Sequence, residues 1–507
     1  LLFNSDDDIT ADNGSLTTMT TSDDNKTWSG TFTPTDDIEA PSNTLSLGTS
    51  YTDLAGNNGP AAQTANYGIN TLGPTISSVA ITGESGIQNN FLNAEDNVSM
   101  TVTYSETVIL DNRSGSPTLT IVVGTTNRPA TYVSGSGSDN FTFQYTIEAG
   151  ENDTDGISIG ADAIVLPSGS TLTDSTNNIA ALTHNAVSHN PLFKVDTTAP
   201  SVDNFTMSDT ALKIGDNATL TLRFSEPICP VSNLCAVEFS NADITVDNGS
   251  LSTMETGDNE TWSGTFTPTD DIEDNTSVLS LGTNYTDLAG NNGPAATTAN
   301  YKVETVAPTV DNFTMSRTEF KIGETATVTL RFSEPVAGFS NADITVDNGS
   351  LSTTMTSPSG DNITWTGTFT PTDDIEDNTS VLSLGTNYTD RAGNIGPAAQ
   401  TANYKVDTRE PVVSNVAISG QAGRQNNFLN PNDNVSFTAT FSEPVILVNS
   451  SGSPTLPIVV GTTNRPATYV SGSGSTQLVF GYTIQPINTN GENDANGISI
   501  GSSVLTL

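Results

Sequence analysis

ATLTLRFSEP, residues 218–227, decides the fold. Leu220, Leu222 and Phe224 alternate with Thr and Arg, the period-two pattern of a strand with one buried face and one wet face. Reading outward, Ile244 and Val246 alternate in the same way, as do Trp262, Gly264 and Phe266, then Leu279 and Leu281. Turn chemistry falls between these runs. Asp247–Gly249 (DNG) supplies residues that tolerate positive φ. No window carries a helical period with caps. About seven short strands in about a hundred residues predict an all-β, immunoglobulin-like Greek-key sandwich. Trp262 and its counterparts Trp28 and Trp365 are expected to anchor cores.

The unit recurs. FSNADITVDNGSL starts at Phe239 and at Phe339, and GTFTPTDDIEDNTSVLSLGTNYTD at Gly264 and Gly367. Trp262 and Trp365 stand 103 residues apart, as do Pro308 and Pro411. That period is domain-sized, too long for a helical or propeller repeat. A third, diverged copy lies at the N-terminus. A second unit type is interleaved: QNNFLN at Gln88 and Gln425, and GTTNRPATYVSGSGS at Gly124 and Gly461, share an offset of 337. With the first type called A and the second B, the order is A–B–A–A–B. The expected modules are 1–72 (A), 73–198 (B), 199–306 (A), 307–409 (A) and 410–507 (B). The first lacks a counterpart of Ser201–Glu238 and the last a counterpart of Thr171–Val195, so both should be incomplete sandwiches.

Composition narrows the function. Fifty-seven acids against fifteen bases give a net charge of −42. Nucleic acid is thereby excluded as a partner, because phosphate binding needs the opposite sign. The same charge keeps a long chain soluble and attracts cations. No stretch approaches the ~18 apolar residues that span a bilayer. Cys229 and Cys235 both lie in PICPVSNLCAVE, an insertion absent from the third A copy, which reads PVAG. Six residues apart, they are expected to form a local disulfide, the alternative being two free thiols. Zinc would need further Cys or His nearby. His184 and His189, the only histidines, lie in THNAVSHN and read as surface residues. No phosphate-binding glycine loop or nucleophile elbow is present, so no enzyme is expected here.

Unit A resembles the bacterial Ig-like modules of large surface adhesins and biofilm-associated proteins. The resemblance is carried by VDTTAP (Val195–Pro200), FSEPV (Phe332–Val336) and YTDLAGNNG (Tyr285–Gly293). Unit B resembles another module of the same giant proteins, through Ser114–Ser138 and FQYTI at Phe143–Ile147. The resemblance implies a bacterial cell-surface or secreted adhesin, often stiffened by calcium. It also implies an extracellular setting, with host or surface glycans or proteins engaged through regions outside this stretch.

The residues give an independent reason to expect calcium. In an Ig-type sandwich the entering chain, the loop after the second strand and the loop between the last two strands meet at one pole. Each brings oxygen ligands, and calcium takes six to eight of them. Entering the second A unit the set is Asp196, Glu226, Asp287 and Asn291; entering the third it is Glu304, Glu334, Asp390 and Asn394. Entering the first B unit it is Asn70 with Glu106, Asp174 and Asn178, and entering the last it is Asp407 and Glu443. The plainer alternative is that these Asp and Asn residues only shape turns. TDDIED (Thr269–Asp274) reads as a solvated turn, the alternative being a contribution to the next junction; GENDTDG (Gly150–Gly156) makes a weak case for a metal site, since its second copy, GENDANG, has one carboxylate fewer. The function expected is a non-catalytic stalk, stiffened by calcium at its joints. The alternatives are modules that themselves bind glycans or proteins along their sides, or acidity as a diffuse adaptation to salt.

Overall fold

The computed structural model describes residues 2–501 except 23–24, 231–234, 353, 449, 451 and 487–492. They fall into two bodies, Leu1–Val306 and Ala307–Leu507, each considered by itself.

In the first body, the alternation at Ala218–Phe224 becomes the centre of a sheet. This strand pairs antiparallel with Val202–Met207 on one side and with Thr261–Pro268 on the other, and Gly249–Leu251 flanks the latter. Leu220, Leu222, Phe224 and Phe266 turn to one face and are fully buried. They meet Leu279, Leu281, Tyr301 and Val303 from two three-stranded sheets. In one of these, Ala211–Leu212 runs parallel to Tyr301–Glu304, which pairs antiparallel with Glu273–Ser277. Burying each such Leu or Phe is worth about 1.5–3 kcal/mol, which is what holds the layers together.

The segment 73–198 uses a larger sheet. Its long strand Asn97–Asp111 pairs with Ile76–Ser85 and Ser138–Thr146, and the order continues through Thr126–Ser134, Thr118–Val123 and Ser158–Val165. A core of its own runs from Leu92 to Val195. Here too the ends are joined: Phe91–Leu92 pairs in parallel with Lys194–Val195.

Residues 2–72 are different. Ile69 is their one buried core hydrophobic among the described residues. Leu16, Trp28 and Phe32 are half-buried, whereas Phe266 and Phe369, the counterparts of Phe32, are fully buried. Among the described residues, Phe32–Pro34 pairs only with Gly14–Leu16, whereas its counterpart Thr261–Pro268 also pairs with Ala218–Phe224.

In the second body, residues 307–406 repeat the A plan, with Ala326–Phe332 between Val310–Met315 and Thr364–Pro371, and Glu319–Phe320 parallel to Lys405–Val406. Trp365 is half-buried, against the buried Trp262. Residues 413–500 form a six-stranded sheet in the same order as the first B unit. The described helix is confined to a turn at Ser5–Asp8, capped by Asn4, and two 3-10 turns at Asn241–Asp243 and Asn341–Asp343. No described helix is long and apolar enough to cross a membrane.

Two turns are built identically in each A copy. Asn13, Asn248 and Asn348 of the DNG turns adopt φ of 50°, 51° and 49°. The following glycine lies against the Phe ring, and a Cβ on Gly249 would stand 2.2 Å from Phe266. Asn248 also donates to Asp274 at 2.8 Å, so TDDIED is folded onto the DNG turn. In the second turn, the hydroxyls of Tyr51, Tyr285 and Tyr388 donate to the carbonyls of Pro60, Pro294 and Pro397 at 2.9, 2.8 and 2.7 Å. These tyrosines precede the acidic loop, fix its base, and are corner residues.

Candidate metal centre

The pole where the 73–198 segment meets the 199–306 segment brings three carboxylates together. One oxygen each from Asp196, Glu226 and Asp287 lies within 4.8 Å of the others. Asp196 ends strand Lys194–Asp196, Glu226 follows strand Ala218–Phe224, and Asp287 sits just beyond the Tyr285 corner. Asp287 is 1% exposed. Its Oδ1 accepts the backbone N–H groups of Ala289 and Asn291 at 2.8 and 2.9 Å, and its Oδ2 accepts the Asn291 amide at 2.8 Å. That amide also donates to the carbonyls of Asp196 and Thr198 at 3.0 and 3.3 Å. Asn291 is thus a strut between loop and linker, its N–H groups turned toward the linker.

The electrostatics are unfavourable without a cation. Burial pushes the Glu226 carboxyl up to about 7, with further upward pressure from Asp196 and Asp287. Burial also raises Asp287, against the lowering effect of its Asn291 hydrogen bonds. An all-oxygen, anionic donor set fits a hard divalent cation such as calcium, which waters and nearby carbonyls would complete.

The pole between residues 2–72 and 73–198 uses the same plan with a different linker residue. Asp174, 2% exposed, accepts from Asn178 at 2.7 Å and Thr176 at 2.8 Å. Asn70, in the place of Asp196, donates its amide to Asp174 at 3.1 Å. Asn178 donates to the Asn70 carbonyl at 3.0 Å. Burial works to raise Asp174, but the hydrogen bonds from Asn178 and Thr176 outweigh it and the carboxyl is lowered. Glu106 is raised by burial, then by Asp174 and Glu39. An asparagine at the linker closes this joint with hydrogen bonds, where an aspartate leaves charge facing charge.

The remaining expected ligands are placed as follows. In the second body Asp390 and Asn394 are both 2% exposed, and the Asn394 backbone and amide N–H groups donate to Asp390 at 2.9 and 2.7 Å. Glu334 is half-buried. Glu304 belongs to the first body, where it ends strand Tyr301–Glu304 opposite Glu273, 3.8 Å from the Lys302 ammonium. Asp407 ends strand Tyr404–Asp407 opposite Glu376, and Glu443 is half-buried on strand Asn434–Val445. Cys229 and Cys235 are joined in a disulfide with Cα atoms 6.3 Å apart. Residues 231–234 of that loop lie outside the described residues.

A second cluster escaped sequence reasoning: Asp153, Asp155 and His189 also bring ligand atoms within 4.8 Å. His189 is more than thirty residues from the acids, and the Ile159–Val187 bridge together with a 3.0 Å contact between its ring Nδ1 and the Gly156 carbonyl brings it to them. Asp153 is occupied as a turn former, accepting the N–H groups of Gly124 and Gly156 at 2.7 Å each. Neighbouring Glu151 accepts the Tyr145 hydroxyl at 2.8 Å and pairs with Arg128, so GENDTDG is held by structural bonds. The second copy, at Gly491–Gly497, falls partly outside the described residues.

A family model described as bacterial Ig-like domain matches residues 3–69, 196–303 and 304–406, more than half of the chain. No curated protein matches. Among solved structures, the Escherichia coli adhesin FdeC is 16% identical, covering 57% of this chain and 91% of its own, with a TM-score of 0.18. The S-layer protein rSbsC is 13% identical over 85% of this chain and 67% of its own, at 0.16. The BSP domain of a biofilm associated protein is 9% identical over 80% and 90%, at 0.17. Likenesses this slight say nothing about what the chain binds.

Proposed function

The chain belongs to the bacterial Ig-like domain family, and from that premise we propose that it is a non-catalytic stalk of a bacterial cell-surface or secreted adhesin. In this reading the modules are 1–72, 73–198, 199–306, 307–409 and 410–507, and calcium stiffens joints between them. The observation that carries the calcium reading is the convergence of Asp196, Glu226 and Asp287, one from the linker and two from the module it enters. When bound, calcium would supply the positive charge that offsets three facing carboxylates. The chain does the rest. Asn291 ties the loop to the linker carbonyls, the Tyr285 corner fixes the loop's base, and Asp287 is pre-oriented by two backbone N–H groups. Repetition of near-identical A units suits a spacer, since interchangeable spacers tolerate duplication.

The test is calorimetric titration of the full chain, freed of metal, with calcium and separately with magnesium. Hydrogen exchange of the Asp196–Ser201 and Asp287–Asn291 amides is followed in parallel. Saturable calcium binding that slows exchange in both segments supports the reading. Absence of binding heat together with unchanged exchange at millimolar calcium overturns it.

A further inference from the structure

The disulfide loop does more than close on itself. Its two described ends are tied to the acidic loop behind them: the Cys229 N–H donates to the Thr286 carbonyl at 2.9 Å, and the Thr286 hydroxyl to the Val237 carbonyl at 2.8 Å. Against this assembly stands a turn of the preceding module, Gln88–Phe91. The Asn89 amide donates to the Leu288 carbonyl at 3.0 Å and to Cys235 Sγ at 3.2 Å. The Ala236 N–H donates to Gln88 Oε1 at 3.2 Å. Gly290, at φ +95°, makes room for this contact, since a Cβ there would stand 2.3 Å from Gln88 Nε2.

The turn itself is preformed. Gln88 and Phe91 exchange backbone hydrogen bonds at 2.8 and 2.7 Å, with Asn89 and Asn90 at φ 50° and 68°. The second B copy reproduces this at Gln425–Phe428, with the same two distances and φ of 48° and 70° at Asn426 and Asn427. There the turn is exposed, whereas Gln88 and Asn89 are half-buried. The distribution of the insertion matches this contact. The A unit with the cysteines follows a B unit; the A unit reading PVAG follows another A unit.

We propose that the Gln88–Asn89 turn of a B unit is a docking surface whose partner is the Cys235–Ala236 end of the disulfide insertion in the A unit that follows it. The contact is a latch on that joint, independent of metal. The insertion exists because a B module presents this turn and an A module does not. The disulfide holds Cys235 and Ala236 where the turn can reach them.

The test uses the full chain in metal-free buffer, so that failure of the latch and failure of the calcium reading are distinguishable. Hydrogen exchange of the Gln88 and Phe91 amides is compared in the unaltered chain, in Gln88→Ala/Asn89→Ala and in Cys229→Ser/Cys235→Ser, with the Gln425 and Phe428 amides as the control within the same molecule. Both variants are expected to speed exchange at the first turn by about tenfold, as loss of a local tether should, and to leave the second turn unmoved. The alanine variant should also speed exchange at Leu288–Gly290. If the cysteine variant loses protection across Ala218–Phe224, its module has unfolded and the alanine variant decides alone. Unchanged exchange at both Gln88–Phe91 and Leu288–Gly290 in the alanine variant overturns the proposal.

Discussion

Asp196→Asn gives the second joint the amide that the first joint already has at Asn70. Two unit charges within 4.8 Å interact by about 3.5 kcal/mol at an effective dielectric of about 20, and by about 1 kcal/mol in water. Asp196 and Glu226 are partly exposed, so about 1–2 kcal/mol is the relief expected from removing the Asp196 charge in metal-free buffer. The new amide can also donate toward Asp287, as Asn70 does to Asp174 at 3.1 Å. For a domain of about a hundred residues, 1 kcal/mol moves the melting temperature by about 4–8 °C. The transition containing the 199–306 segment should therefore rise by roughly 4–16 °C without metal. With calcium the sign reverses. One of three anionic ligands is gone, affinity should fall at least about tenfold, and stabilisation follows RT ln(1 + [Ca²⁺]/Kd). Scanning calorimetry of both chains, with and without calcium, reads the two effects together. If Asp196→Asn shifts melting the same way in both buffers, the carboxylates are not opposed by one another and relieved by a cation, and the reasoning fails.

Glu226 supplies a pH test. Its folded carboxyl is raised to about 7 from an ordinary 4.5, so the metal-free joint is most stable below about pH 4.5 and loses stability as pH rises toward 7; Glu226→Gln should flatten that slope in melting curves. Tyr285→Phe deletes a buried hydroxyl that donates to Pro294 and should cost about 1–2 kcal/mol by thermal melting. Gly293→Ala should cost more, because its Cβ would stand 2.0 Å from the Tyr285 ring. Phe266→Ala should cost about 3–5 kcal/mol, whereas Phe32→Ala, at a half-buried position, should cost less than half of that; equal costs would show the first module's face to be covered after all.

The sandwich was legible because its signals are local. Leu220, Leu222 and Phe224 announce a strand by alternation, and Asn248–Gly249 a turn by its chemistry. Duplication of both shows that the unit is repeated. The meeting of Asp196, Glu226 and Asp287 was legible only through the fold, since a Greek key returns particular loops to one pole. What escaped notice depends on contacts between sequence-distant side chains with no period to mark them. His189 reaches Asp153 and Asp155 in this way, and Asn89 reaches Cys235, 146 residues further on. The linker positions showed which oxygens were present, but not that Asn70 would turn its N–H toward Asp174. Trp28, Trp262 and Trp365 stack alike on Phe3, Phe239 and Phe339, and only the extent of their burial, which depends on the surrounding fold, differs.

The short parallel ladders described earlier have a mechanical consequence. In three segments a short strand lies beside one about a hundred residues further on: Phe91–Leu92 with Lys194–Val195, Ala211–Leu212 with Lys302–Val303, and Glu319–Phe320 with Lys405–Val406. Tension applied through the chain drags such partners past each other along their length. Their hydrogen bonds then share the load and must yield together, whereas a hairpin peeled from its open end gives way one bond at a time. A protein held by one end while something pulls the other would load these ladders in shear.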